Sequence, residues 1–176
     1  MLENEYTLSR ECFADHSLYK RVSLPPQFII ELTYAHKRID ILQVVARWLP
    51  HMFNWDRASI AFGLQSGYLS LVSVIGNKAI PAKIPLPVDF TLVGRVFKSQ
   101  TLIACHQLSL SEEHDCRMLV EGGIVTCMDA PILYNEHCFG TINVGRSAGQ
   151  FTQEEAVQLF CIASMLGLAF SSLKDS

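Results

Sequence analysis

Two pairs of strand-forming segments, each joined by a connection too short for a crossover, constrain the fold of this chain more than any other feature. Arg57 to Leu64 and Tyr68 to Ile75 are rich in β-branched and apolar residues, and only Gln65-Ser66-Gly67 separates them. Ile124 to Leu133 and Cys138 to Gly145 flank the turn Tyr134-Asn-Glu-His137 in the same way. Parallel strands need a connection of about a dozen residues, so both pairs are expected to be antiparallel hairpins.

Helical patterns surround them. From Gln27 the apolar positions Phe28, Ile29, Leu32, Ala35, Ile39, Leu42, Val45, Trp48 and Leu49 recur at steps of three and four. That period predicts one long helix, or two joined near His36, ending before Pro50. The segment Asn77 to Asp89 carries Pro81, Pro85 and Pro87 and reads as an extended loop. Thr91 can cap a short helix over Leu92 to Lys98, followed by a brief strand, Thr101 to Ala104. Ser111 can cap a helix through Glu121, which Gly122-Gly123 ends. Thr152 stands three residues before Glu155, the spacing of a capping box, and opens the last helix. No strand-helix-strand repeat appears, which favours an α+β domain with helices packed on an antiparallel sheet.

At 176 residues and 49% apolar content the chain can bury one continuous core. We read residues 27–176 as a single domain and residues 1–26 as a partly irregular arm, with a short helix from about Thr7 to Tyr19. A formal net charge of -3, with no basic run beyond Lys20-Arg21 and Lys37-Arg38, gives no field to attract nucleic acid. The polar start has no secretory pattern, and the longest apolar run, Ala156 to Leu173, is interrupted by Gln158 and small polar positions. The expectation is a cytoplasmic protein with no membrane partner and six reduced cysteines. Cys105, Cys116, Cys127 and Cys138 recur every eleven residues, but their surroundings do not repeat.

Over roughly Ile39 to Phe170 the residues resemble the GAF family. Asp56-Arg-Ala-Ser-Ile-Ala-Phe62 is similar to the family's first strand. Thr91-Leu-Val-Gly-Arg-Val-Phe97 followed by Gln100-Thr-Leu-Ile103 is similar to its "G-x-V, then x-P-x-x-I" passage, with Thr101 in place of the usual proline. Gly123-Ile-Val-Thr-Cys-Met-Asp-Ala-Pro-Ile132 resembles the "G-I-x-S-x-x-x-x-P-L" strand, and Gly140-Thr-Ile-Asn-Val-Gly145 with Phe151-Thr-Gln-Glu-Glu155 resembles the family's ending. The resemblance implies a GAF-like (PAS-like) α/β fold. In it a six-stranded antiparallel sheet carries long N- and C-terminal helices on one face and short helices over a pocket on the other.

The same resemblance implies a sensor module of bacterial signalling proteins that binds a small-molecule ligand. Its pocket would be lined by Leu92, Val93, Val96, Cys105, His106, Cys116, Cys127, Asp129 and Asn143, with His114 nearby. Asp129 and Asn143 interrupt apolar strands and need partners if buried; a solvent-facing Asp and a locally bonded Asn are the plainer readings. Cysteine and histidine suit zinc, haem or an iron-sulfur group, yet no Cys-x-x-Cys or His-x-x-x-His spacing occurs, and no cofactor is expected. The family's cyclic-nucleotide signature fails after Asn77-Lys78. Its free methionine sulfoxide reductases share an Asn-Trp pair, here Asn54-Trp55, but also need a Gly-Val-Cys-Gly run that is absent. Bilin-binding members use a Cys near the place of Cys116, followed by His, where this chain has Arg117.

No phosphate loop, dinucleotide fingerprint, nucleophile elbow or His-Glu-x-x-His motif is present, so no catalytic residue is assigned. The acidic cluster Glu112-Glu113-His114-Asp115 is read as the opening turn of a helix, favoured by its dipole. The main expectation is a ligand-binding regulatory domain that signals through its terminal helices to an output domain such as a cyclase or kinase. The alternative is a thiol-based redox or tetrapyrrole- or metal-binding domain using Cys105, Cys116 or Cys127. Val157, Cys161, Ile162 and Met165 widen the apolar stripe of the last helix beyond what one sheet face covers, which predicts a homodimer through the terminal helices.

Overall fold

The computed structural model describes residues 3–15 and 21–173. Seven strands form one antiparallel sheet in the order β1-β5-β6-β7-β2-β3-β4. They are β1 (Glu5–Leu8), β2 (Arg57–Gly63), β3 (Tyr68–Gly76), β4 (Pro85–Pro87), β5 (Leu102–Cys105), β6 (Thr126–Tyr134) and β7 (His137–Arg146). Both expected hairpins are present, as β2-β3 and β6-β7. Gly67, at φ 80°, supplies the left-handed conformation that the first turn requires.

The sheet has one strand more than expected. In place of a helix from Thr7, Glu5–Leu8 pairs with β5, and a 3-10 turn over Arg10–Phe13 follows; residues 16–19 of that expected helix lie outside the described residues. The physical reason is alternation. Tyr6 and Leu8 lie opposite Ala104 and Leu102 and add to the helix-side core, and the strand satisfies backbone groups along an otherwise open edge of β5. The proline-rich segment contributes only Pro85–Pro87, at the opposite edge on β3, where a missing N–H is tolerated. Pro131 lies beyond the last β6 residue that β5 pairs, so its absent donor is not needed there.

The N-terminal helical pattern divides near His36 into α1 (Pro26–Thr33) and α2 (Arg38–Trp48). Asp40 accepts the backbone N–H groups of His36 and Lys37, both at 2.9 Å, and so fixes the start of α2. α3 spans Leu92–Ser99, α4 His114–Glu121 and α5 Gln153–Ser172. The capping box of α5 is formed: Thr152 Oγ1 accepts from Glu155 N at 3.1 Å, and Glu155 accepts from Thr152 N at 2.8 Å. Ser111 does not cap α4. A 3-10 turn over Leu108–Leu110 delays the helix, and Ser111 Oγ instead accepts the N–H of Glu113, the true N-cap residue.

Strand alternation divides the core in two. On one face Ala58, Ile60, Met128, Ala130, Ile132, Ile142 and Val144 pack against α1, α2 and α5. On the other, Ala61, Leu69, Leu71, Ile103, Cys105 and Cys127 pack under α3 and α4. Two glycines mark close backbone approaches. A Cβ on Gly140 would stand 1.8 Å from the carbonyl oxygen of Ala61 on β2, and one on Gly167 would stand 2.0 Å from that of Leu133 on β6.

Despite Gln158 and its small polar positions, α5 has the length and apolarity to cross a bilayer, but 56% of that stretch is buried inside the chain. Its stripe is also better covered than expected. Val157 and Ile162 are buried within this chain, while Cys161 and Met165 are half-buried and Leu168 is exposed.

Candidate functional site

The face under α3 and α4 encloses a cavity of about 20 Å³, room for one water-sized group. Its floor is a polar row across three neighbouring strands. Ser59 on β2 lies opposite Asn143 on β7, which lies opposite Asp129 on β6. Period-two alternation aims all three side chains to this face, because Ala58, Ile60, Val144, Met128 and Ala130 take the helix side. Asn143 Nδ2 donates to Ser59 Oγ at 3.1 Å, while Asn143 Oδ1 has no hydrogen-bond partner among the described residues.

Asp129 is buried in mid-strand, 3% exposed, and is neither solvent-facing nor at a hairpin end. Its carboxyl stands in the cavity wall. Burial, with Asp115 and Glu113 nearby, raises its pKa well above 3.8 despite the opposing charges of Arg57 and Arg95.

The roof comes from the two short helices. Thr91 caps α3, its Oγ1 accepting from Gly94 N at 3.1 Å. The same helix end receives a second acceptor: Asp115, buried in the first turn of α4, accepts from Leu92 N at 2.8 Å and Val93 N at 3.0 Å. Its Oδ1 also accepts from Cys116 N at 3.0 Å. In sequence Asp115 is a first-turn carboxylate that suits its own helix dipole; tertiary packing also makes it a bridge from α4 to α3. Desolvation raises its pKa, against the lowering effect of these backbone donors.

Arg57, 4% exposed, closes the rim. Its guanidinium donates to the carbonyls of Asn77 at 2.8 Å and Ile80 at 2.7 Å, holding the proline-rich loop over the cavity. Asn77 Nδ2 in turn donates to Gly122 O at 2.9 Å beyond α4. Outside the cavity, Arg95 of α3 bridges Glu113 at 2.9 Å and Glu5 of β1 at 2.5 Å, tying the added strand to both short helices.

Of the nine residues expected to form the pocket, Val93, Cys127, Asp129 and Asn143 line the cavity. Leu92, Val96, Cys105 and Cys116 pack in the apolar cluster around it, because only the Val93 side of α3 turns toward the opening. His106 is half-buried after β5, its backbone N–H bonded to Asn4 O at 2.8 Å and its Nδ1 without a partner among the described residues. His114 is exposed. Asp115 and Leu119 line it from the helix expected over the pocket, and residues not anticipated include Arg57, Ser59, Leu71, Ile80 and Leu86. The alternation Arg57-Ala58-Ser59-Ile60 was the available signal for the first two, since it puts both polar side chains on one face.

Cys105 and Cys127 are register partners on β5 and β6, and Cys116 of α4 approaches Cys127. The thiols that share an eleven-residue spacing therefore do meet, apart from Cys138, which lies in the β6-β7 hairpin. Burial pushes Cys105 up to about 12, and the Cys116 contact together with burial raises Cys127 well above 9.0. Both effects suppress the thiolate that nucleophilic or redox chemistry needs. All six cysteines are free. Among the described residues no group of three or more His, Cys, Asp or Glu side chains is arranged to hold a metal ion.

Comparison with solved structures places this architecture. The GAF domain of a phosphoenolpyruvate-protein phosphotransferase from Coxiella burnetii superposes with a TM-score of 0.72 at 19% identity, over 82% of this chain and 89% of that one. The GAF domain of a two-component sensor histidine kinase from Bacillus halodurans gives 0.68 at 15% identity, over 78% and 95%. The free methionine-R-sulfoxide reductase from Neisseria meningitidis, in complex with its substrate, gives 0.71 at 16% identity, over 87% and 95%. These identities carry the fold alone. Comparison with curated proteins finds no match. The family model of the GAF domain matches residues 37–170, and with the sheet, the helical layers and the roofed cavity all in place, the chain belongs to the GAF domain family.

Proposed function

We propose that this chain is a regulatory sensor domain in which a small molecule occupies the space between the Ser59-Asn143-Asp129 row and α3-α4. The observation that carries this reading is the unpartnered Asn143 Oδ1, beside the buried Asp129 carboxyl, in the wall of a buried cavity. A buried acceptor without a donor costs about 1–3 kcal/mol, and a ligand that supplies a donor recovers that cost.

Signal transfer follows from the position of the sheet. The cavity lies on one face and α1, α2 and α5 on the other, with alternate residues of the same strands touching each. A ligand that binds two packings of these strands unequally shifts their populations, and the terminal helices carry the shift to an output domain such as a cyclase or kinase. A second copy of the chain covers the apolar cleft between Ile29, Leu32, Met165, Leu168 and Ala169, which would place the dimer contact on the signalling helices. Six unpaired thiols support a cytoplasmic location.

The test is an NMR titration with amino acids, nucleotides and aromatic metabolites, each larger than the present cavity of about 20 Å³ and admitted only if α3 and α4 move away from the sheet. At least one compound should shift the amides of Asp129 and Asn143 and, at the same occupancy, those of α5. Shifts confined to the cavity would refute the transmission, and the absence of any binding would refute the sensor. Sedimentation should show a dimer that Leu168→Glu converts to monomer.

A further inference from the structure

A second cavity opens at the end of the sheet where β2 runs out and β7 begins, and it shares no lining residue with the one under α3 and α4. We propose that this second cavity, of about 330 Å³, binds a small aromatic monocarboxylate, with its ring among phenylalanines and its carboxylate on the Arg38 guanidinium. The volume is that of a small-molecule site, and the walls are fixed by mutual contact. Phe62 of β2 meets Phe170 of α5 edge-on, with 5.0 Å between centroids, and Phe170 meets Phe139 of β7 at 6.1 Å. Phe97 of α3 closes the other side: its ring lies 2.7 Å from where a Cβ on Gly63 would stand, so the glycine lets it fold over the end of β2. Gln100 Nε2, just after α3, donates to Glu136 O at 2.9 Å and ties the β6-β7 turn to the same corner. Phe62, Phe97 and Phe139 are only half-buried, which leaves aromatic surface for an occupant.

Charge selects the other half of the ligand. Among the described residues no carboxylate lines this cavity. Arg38 forms no ion pair or hydrogen bond with a described residue; its guanidinium lies over the Phe62 ring, 5.3 Å from the centroid. Asp40, close by in α2, has its carboxylate turned to the N–H groups of His36 and Lys37. The positive charge of Arg10 also reaches this wall, where it acts on Cys138. A guanidinium laid flat on a ring keeps its fork of N–H donors in plane and free for a carboxylate. A cation would be repelled here, a neutral hydrocarbon would leave the fork unused, and a nucleotide would set a polar sugar and further charges against phenylalanine. An aromatic monocarboxylate matches both parts. Because the walls come from α3 on one face of the sheet and α5 on the other, its ring clamps the two helical layers together.

NMR titration of the intact, isotope-labelled chain with phenylacetate tests this, against phenylacetamide, its neutral isostere, and acetate, which has the charge without the ring. Phenylacetate should shift the amides of Phe62, Phe97, Phe139 and Phe170 saturably, leave those of Asp129 and Asn143 in place, and bind about tenfold more tightly than phenylacetamide. Arg38→Met, which keeps the apolar stem of an exposed side chain, should reduce phenylacetate to the affinity of the amide. Equal affinity for phenylacetate and phenylacetamide, or phenylacetate binding unchanged in Arg38→Met, overturns the carboxylate assignment. The same shifts from acetate alone overturn the role of the ring, and no saturable shift at the four phenylalanines overturns the site. Shifts at Asp129 and Asn143 instead would overturn this proposal while upholding the first cavity as a sensor site; binding at the phenylalanines, with no ligand found for the first cavity, would sustain this site alone.

Discussion

Replacing Asp115 by alanine should cost this protein far more than a surface carboxylate is worth. The side chain caps a helix other than its own, accepting from Leu92 N at 2.8 Å and Val93 N at 3.0 Å across the α3-α4 junction. Truncation strands both N–H groups in a region closed to solvent, where each costs about 1–3 kcal/mol. Thr91 still serves Gly94 N, so the helix end is damaged and not abolished. Relief of the buried carboxylate's own desolvation offsets part of the loss, which leaves about 2–4 kcal/mol, or a fall in Tm of roughly 4–16 °C for a domain of this size. Asp115→Asn keeps one acceptor oxygen and should lose about half as much. Exposed Glu112, near the start of α4, is the control. Simple dipole stabilisation is worth only about 0.3–1 kcal/mol and would affect both sites alike. Urea unfolding monitored by circular dichroism measures all three variants. If Asp115→Ala lies within about 0.5 kcal/mol of wild type, or Glu112→Ala matches it, the bridging role is wrong.

Three further outcomes follow from the geometry. Gly167→Ala reverses the usual preference for alanine inside a helix. The new Cβ would stand 2.0 Å from Leu133 O, so the substitution should destabilise by about 1–3 kcal/mol where a free helix would gain about 0.5–1 kcal/mol, and a measured gain would refute the close α5-β6 approach. The buried Asp129, facing Asp115 and Glu113 of α4, Arg57 of β2 and Arg95 of α3, has a pKa raised above the ordinary 3.8, so between these limits the folded state holds a proton that the unfolded state releases. Its contribution to stability is complete below about 3.8 and is lost as pH rises through the raised value; the stability of Asp129→Asn relative to wild type should therefore grow with pH in that window, and a constant difference would count against a buried ionisable group. Thiol titration in the native state should label exposed Cys12 first, with Cys105, Cys116 and Cys127 reacting only as the chain unfolds; fast labelling of any of the three would revive the thiol alternative.

The local devices of the fold were legible because their causes are local. The short β2-β3 and β6-β7 connections require antiparallel pairing whatever surrounds them. The Thr152 capping box depends on residues three apart, and the Asn143 and Asp129 anomalies are visible as polar interruptions of apolar strands. The two-sided burial of β6 was also foreshadowed, since Met128, Ala130 and Ile132 alternate with Cys127 and Asp129.

Tertiary structure decided everything that depends on which distant segment arrives where. β1 has a weak local pattern and becomes a strand only because β5 offers it an open edge. Asp115 looks like an ordinary first-turn carboxylate until α3 places two N–H groups against it. Arg57 heads a strand in the sequence, but its role is to hold a loop twenty and more residues away, through carbonyls that carry no residue-type signal at all. Hydrogen bonds to backbone groups are indifferent to side-chain identity at the accepting end, so no reading of residue types could locate them. By itself the sequence determined the elements, the sheet's antiparallel character and the polar residues that needed explaining; the cavity they enclose and the unpartnered Asn143 Oδ1 in its wall exist only once the strands and the two short helices have met.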